Sequence, residues 1–151
     1  MWDMCAIVDD NKFDRLICNR IVERLDESID VVQFDSGESI LSYLVSDDFL
    51  SDDFLIFLDI NMPKMNGFEF LEQMVNSEAI KPKLHTISVI IMTSSTRIED
   101  RDMAAKYPCV RGFIQKPINK DILTEVLSSY GVYSGEESKH ESIVAEAGVK
   151  P

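Results

Sequence analysis

Phe54-Leu55-Ile56-Phe57-Leu58-Asp59-Ile60-Asn61-Met62-Pro63-Lys64-Met65-Asn66-Gly67 runs five apolar residues straight into one aspartate. The run has strand length and lacks the alternation of a half-wet strand. It therefore reads as a strand buried on both faces. Asp59 falls at its carboxyl end, and Pro63 and Gly67 break the chain into a loop beyond it. In open α/β sheets, ligands bind in the crevice past the carboxyl ends of the strands. A carboxylate placed there is costly unless it is solvated, paired or metal-bound.

Outward from this strand, other apolar runs end on polar groups. Cys5-Ala6-Ile7-Val8 runs into Asp9-Asp10-Asn11. Val31-Val32-Gln33-Phe34 precedes Asp35-Ser36-Gly37-Glu38. The run Thr86 to Met92 ends in Thr93-Ser94-Ser95, and Gly112-Phe113-Ile114-Gln115 ends in Lys116-Pro117. Helical periodicity fills the gaps. Residues 12 to 27 carry Phe13, Ile17, Ile21 and Leu25 on one face. Ile40, Leu41 and Leu44 mark a second helix, with Asp35 and Glu38 placed as a capping box. Phe68, Leu71 and Val75 mark a third helix from Gly67. Ile98 and Ala105 give a narrow face to a helix over 97–106. Asn119 caps a last helix lined by Ile122, Leu123, Val126 and Leu127, which Tyr130-Gly131 closes.

Strand and helix alternate five times. The expectation is an α/β fold with a five-stranded parallel sheet and helices on both faces. A chain of 151 residues suits one domain, here 1–131, followed by a tail over 132–151 read as flexible. The segment 76–85 is read as a connection. Ser46-Asp47-Asp48-Phe49-Leu50 is repeated at once as Ser51-Asp52-Asp53-Phe54-Leu55. It precedes the third strand, on the opposite edge from Asp59, and reads as a solvated acidic loop rather than a calcium site.

Composition narrows the function. A formal net charge of −12 argues against direct nucleic-acid binding, which needs clustered Lys and Arg. No apolar run approaches the roughly 20 residues that span a bilayer, so no membrane insertion is expected. The N-terminus has no basic segment of the secretory kind. Cys5, Cys18 and Cys109 form no metal or redox spacing, read as small buried hydrophobes, and fit a cytoplasmic protein.

A parallel sheet gathers Asp9, Asp10, Asp59, Thr93 and Lys116 on one edge. Crowded carboxylates repel one another, and a divalent cation relieves that repulsion. Magnesium suits such a site, being a hard ion that takes carboxylates and phosphate oxygens. A lysine and a hydroxyl opposite supply a point charge and a donor for a phosphoryl oxygen. The set reads as an aspartate that attacks phosphorus and becomes a mixed anhydride.

With Val8-Asp9-Asp10-Asn11, Leu58-Asp59-Ile60-Asn61-Met62-Pro63 with Gly67, Met92-Thr93-Ser94, and Phe113 with Lys116-Pro117, the chain resembles the receiver domain of two-component response regulators over residues 4 to 130. The resemblance implies a flavodoxin-like strand order, 2-1-3-4-5. It implies that Asp59 takes a phosphoryl group from a phosphohistidine on a sensor histidine kinase or a histidine phosphotransfer protein. Asp10 and Asp59 would hold magnesium by side chain, Asn61 by its backbone carbonyl, and Asp9 through water. Lys116 would pair with Asp59 at rest and hold phosphoryl oxygens afterwards, across a cis Lys116-Pro117 peptide. Thr93 would swing to the phosphate and Phe113 would turn inward. Asn61 and Ser95 would tune hydrolysis, limited by water positioning. The face built from 96–127 would then meet a downstream protein target or serve a relay. The resemblance is to a stand-alone receiver, not an enzyme beyond its own phosphorylation and slow dephosphorylation.

Three alternatives compete. A haloacid-dehalogenase-type phosphatase also uses a strand-end aspartate, but needs a second carboxylate two residues on, where this chain has Asn61. A flavin carrier needs a glycine- and hydroxyl-rich phosphate loop, where this chain has Asp9-Asp10-Asn11. A receiver that no longer takes phosphate would not need the intact acidic set.

Overall fold

The computed structural model describes residues 2–129; the closing Tyr130-Gly131 and the tail from 132 lie outside the described residues. In chain order the elements are β1 (Met4–Val8), α1 (Lys12–Leu25), β2 (Asp30–Phe34), α2 (Gly37–Val45), β3 (Phe54–Asp59), α3 (Gly67–Asn76), a 3-10 turn (Lys81–Thr86), β4 (Ile87–Thr93), α4 (Ile98–Ala104), β5 (Val110–Gln115) and α5 (Lys120–Leu127). All strand pairs are parallel, in the order β2-β1-β3-β4-β5. The expected fold class and strand order are both present.

The sheet divides two cores. Cys5, Ile7, Leu55 and Phe57 face Cys18 and Val22 of α1 and Leu123 and Val126 of α5. Ala6, Val8, Ile56 and Leu58 face Ile40 and Leu44 of α2 and Phe70, Leu71 and Met74 of α3. Every residue of β3 is buried, as its unbroken apolar run requires. One extra residue, Arg111, bulges β5 against Val89 and Ile90. The bulge sets the phase of the strand end, so that Phe113 faces the α2–α4 side and Ile114 the α1–α5 side.

The helix faces differ from the sequence expectation. In α1 the buried residues are Cys18 and Val22, whereas Phe13 is 75% exposed and Ile17 47%. A small thiol and a valine allow α1 to lie close on the sheet, and the larger residues point outward. In α3 the buried set is Gly67, Phe70, Leu71 and Met74, one step round from Phe68 and Val75. In α4 only Ala104 is buried, while Ile98 and Ala105 are exposed. Ser36, not Asp35, caps α2, with its hydroxyl accepting from the Ser39 N–H. Asn66 and Glu69 form the capping box, at the start of α3. Asn119 caps α5 as expected.

The duplicated loop is more than a solvated acidic segment. Its two phenylalanines stack on each other, Phe49 edge-on to Phe54 at 4.8 Å, with Tyr43 beside both. Phe49 is 5% exposed and carries the Lys83 ammonium over its ring, while the repeated leucine diverges: Leu50 is 83% exposed and Leu55 buried. The duplication thus plugs the amino end of the sheet, far from Asp59. Cys5 and Cys18 are buried and Cys109 half-buried, and burial pushes all three thiols up, Cys109 to about 11. Among the described residues no helix is long and apolar enough to cross a membrane.

Phe49→Ala should cost about 3 kcal/mol of stability, because it removes a buried ring and its stacking partner's support. Leu50→Ala should stay within about 0.5 kcal/mol. Urea unfolding of both variants measures the contrast, and equal effects would mean that the plug is not formed.

Candidate functional site

Adjacent strands place the acids. Val8 of β1 pairs with Leu58 of β3, so the residues just beyond, Asp9 and Asp59, emerge side by side. Asp59 in turn lies level with Met92 of β4, and Thr93 level with Gln115 of β5, one residue before Lys116. Carboxylate oxygens of Asp9, Asp10 and Asp59 all lie within 4.8 Å of one another. Asp9 and Asp59 are buried and Asp10 is exposed. The set is all hard oxygen with one water-facing member, and its donor chemistry fits a divalent cation of the magnesium kind.

The loops are pinned by their own backbones. The Asn11 N–H donates to Asp9 Oδ1 at 2.9 Å, and the Asn61 N–H to Asp59 Oδ1 at 3.2 Å. Arg15 reaches back from α1 to donate to the Asp9 carbonyl at 2.7 Å. Gly67 N–H closes the β3–α3 loop on the Ile60 carbonyl at 3.0 Å. A Cβ at Gly67 would meet the Ile60 Cα at 2.7 Å, so this close approach requires glycine.

Lys116 enters from β5, where its N–H donates to the Thr93 carbonyl at 2.7 Å and the following peptide to Pro117 is cis. The ammonium does not sit mainly on Asp59. Nζ donates to Asp9 Oδ2 at 2.7 Å and to Asp14 Oδ2 at 2.9 Å, and stands 3.7 Å from Asp59 Oδ2. The expected resting pair is therefore the longest of three contacts. Asp14, on the first turn of α1, was missed: nothing in the sequence links a helix aspartate to a lysine about a hundred residues on.

Burial pushes the Asp59 carboxyl up to about 6, and the Asp9 charge adds to it; the Lys116 ammonium and the Asn61 N–H pull the other way. Burial alone would lower the Lys116 pKa, but the hydrogen bonds to Asp9 and Asp14, then the charges of Asp59 and Asp9, raise it. Lys116 is therefore a fixed positive charge and Asp59 a carboxylate that ionises at some cost.

Thr93 is buried at the end of β4. Its hydroxyl oxygen accepts from the Asn61 side-chain amide and from the Ser95 N–H, each at 3.1 Å. Ser95 Oγ donates to Asp100 Oδ2 at 2.5 Å, tying the β4–α4 loop to α4. The position where a phosphatase would need a proton-transferring carboxylate thus holds an amide engaged with Thr93. Phe113 already lies inside, 1% exposed, with the Arg101 guanidinium 5.3 Å from its ring centre.

Residues 5–128 match the response regulator receiver domain family. The chain belongs to that family. Magnesium and phosphoaspartate are typical of receivers, which serve two-component signalling and are generally non-enzymatic apart from their own phosphorylation. This receiver is 28% identical over 132 residues to the hybrid signal transduction histidine kinase L of Dictyostelium discoideum, a match covering 87% of this chain and 7% of the kinase. It is 33% identical over 94 residues to the stress response regulator protein 1 of Meyerozyma guilliermondii, covering 62% of this chain and 40% of the relative. The chain thus spans well under half of these two relatives. A crystal structure of a response regulator receiver protein from Dyadobacter fermentans superposes with a TM-score of 0.68 at 28% identity, covering 84% of this chain and 96% of that one.

Asp59→Asn should raise the thermal midpoint by roughly 2–6 °C at about pH 7.5 in chelator, because it removes a buried charge while leaving Lys116 its two shorter partners. The folded-state pKa lies above the ordinary one, so the cost of ionising Asp59 is present above about pH 6 and fades as pH falls toward the usual carboxylate range. The gain should therefore shrink near pH 5. Melting curves at both pH values test this; a pH-independent gain would disprove it.

Proposed function

We propose that this receiver accepts a phosphoryl group on Asp59 from a phosphohistidine and relays that event through its α4–β5–α5 face. The observation that carries the reading is the meeting of three carboxylates within 4.8 Å of one another, with the Lys116 ammonium 3.7 Å from Asp59, at the ends of β1, β3 and β5. An Asp59 oxygen forms a bond to phosphorus. The P–N bond to the donor imidazole breaks, and its electron pair leaves with the nitrogen, which takes a proton. Such transfer is mainly positioning and charge neutralisation. Asp10 and Asp59 carboxylates and the Asn61 carbonyl would hold magnesium, with Asp9 acting through water. Magnesium, when bound, supplies positive charge to the carboxylates and to the phosphoryl oxygens. Lys116 holds a phosphoryl oxygen, and Thr93 gives its O–H to another.

Two surfaces support the partners this reading requires. Beside the acids, α1 exposes Phe13, Leu16 and Ile17, an apolar patch of the kind that marks a protein contact. Next to it, Ile17 and Ile21 floor a groove of about 190 Å³ rimmed by Arg20, Arg24 and Lys120. In a chain of net charge −12 this rim is a local cationic edge, suited to a histidine kinase or phosphotransfer protein. On the other side, Ile98 and Met103 of α4 are exposed next to the Thr93–Ser95–Asp100 chain, as a downstream protein target would need. Three free cysteines fit a cytoplasmic setting.

Acetyl phosphate with magnesium, followed by intact mass, tests the proposal. The wild type should gain one phosphoryl group and Asp59→Asn none, with no repeated turnover of p-nitrophenyl phosphate. Because the attacking group is the ionised carboxylate, acceptance should fall as pH drops, with the fall lying below about 6 because bound magnesium favours the ionised form. An adduct surviving in Asp59→Asn would overturn the assignment.

A further inference from the structure

We infer that Asp14 is a positioning residue that draws Lys116 toward α1, and so slows formation of the phosphoryl group but not its loss. The inference rests on the reading of Asp59 as the acceptor and goes beyond it in naming what holds the lysine back.

An ammonium has three N–H groups to give. Lys116 gives them at hydrogen-bond distance to Asp9 (2.7 Å) and Asp14 (2.9 Å), and only by charge to Asp59 at 3.7 Å. The lysine backbone is fixed by the bond from its N–H to the Thr93 carbonyl. Its four methylenes remain adjustable, so the surrounding carboxylates decide where the charge rests. Asp9 is part of the acidic set in any state. Asp14 is the extra pull, and it is anchored outside the loops. Its own N–H donates to the Asn11 cap at 3.0 Å, and its place on the first turn of α1 favours a negative charge.

When Asp59 takes the phosphoryl group, Lys116 serves best by moving to a phosphoryl oxygen. A contact that must be released on the way stabilises the resting state more than the transition state, and so raises the barrier. Loss begins with Lys116 already on a phosphoryl oxygen, so the Asp14 contact adds nothing to its barrier. In hydrolysis a water oxygen forms a bond to phosphorus, the bond from phosphorus to the Asp59 oxygen breaks, and the electron pair returns to the carboxylate. Lys116 holds a phosphoryl oxygen before and during that step, so Asp14 drops out of it. Asp14 is 36% exposed and its contact is partly screened, so the expected effect is modest.

The test uses the full chain as wild type, Asp14→Asn and Asp14→Ser, each checked for folding by its melting curve. Adduct formation is followed by intact mass at saturating acetyl phosphate with magnesium, and adduct loss after the donor is removed. Both variants should accelerate formation by about two- to fivefold and leave loss unchanged. Accelerated loss would overturn the inference, because Asp14 would then act on the phosphorylated state and not on the resting lysine; saturating donor removes any effect of Asp14 on binding the anion. Unchanged or slower formation would overturn it too, while leaving Asp59 as acceptor intact. A wild type that takes no adduct would remove both readings at once.

Discussion

One ammonium has to satisfy more carboxylate than it can. Asp9, Asp14 and Asp59 converge on Lys116, with Asp10 alongside, where two of the acids are buried. Buried like charges repel strongly unless a counter-charge is held among them. The arrangement is tolerable because Lys116 is fixed by its backbone and because Asp10 remains at the water edge. It stays unbalanced toward negative charge, which favours a hard cation; only with that cation's charge among the acids does the site stop repelling an anionic phosphoryl group.

The sheet exists to keep that imbalance rigid. Parallel pairing of β1 with β3 fixes Asp9 beside Asp59, and pairing of β3, β4 and β5 carries Thr93 and Lys116 to the same edge. A one-residue slip of β3 would turn Asp59 to the other face and replace it with Leu58 or Ile60. The two cores prevent the slip, since Phe57 and Leu58 are each buried on opposite sides. The stability of the apolar strand and the placement of the acid are one constraint.

The strand ends were legible because each apolar run stops on a polar residue, and no tertiary knowledge is needed to see that. The helix faces were less legible. Periodicity weighs Phe13 and Ile17 above Cys18, yet the small thiol lies against the sheet and the large side chains stay outside. Apolar residues kept on a surface obey the same period as a core face, so the pattern alone cannot separate them. Asp35 lost the cap to Ser36 by a single residue, which is within the normal ambiguity of helix boundaries. Asp14 and the Asn61–Thr93 bond were invisible because both depend on which loops the fold brings together.

That bond bears on how the site communicates under the proposed reaction. Two donors fill the lone pairs of the Thr93 hydroxyl and leave its O–H to give. Rotation toward a phosphoryl oxygen gives up the bonds from Asn61 and from Ser95 N–H. Ser95 keeps its bonds to Asp100 on α4 and from the Arg97 N–H, so the loss of the Thr93 contact falls on the β4–α4 loop. Because α4 buries only Ala104, it is the helix least held by the core, and a ligand can shift a conformational balance only where the opposing interactions are this few.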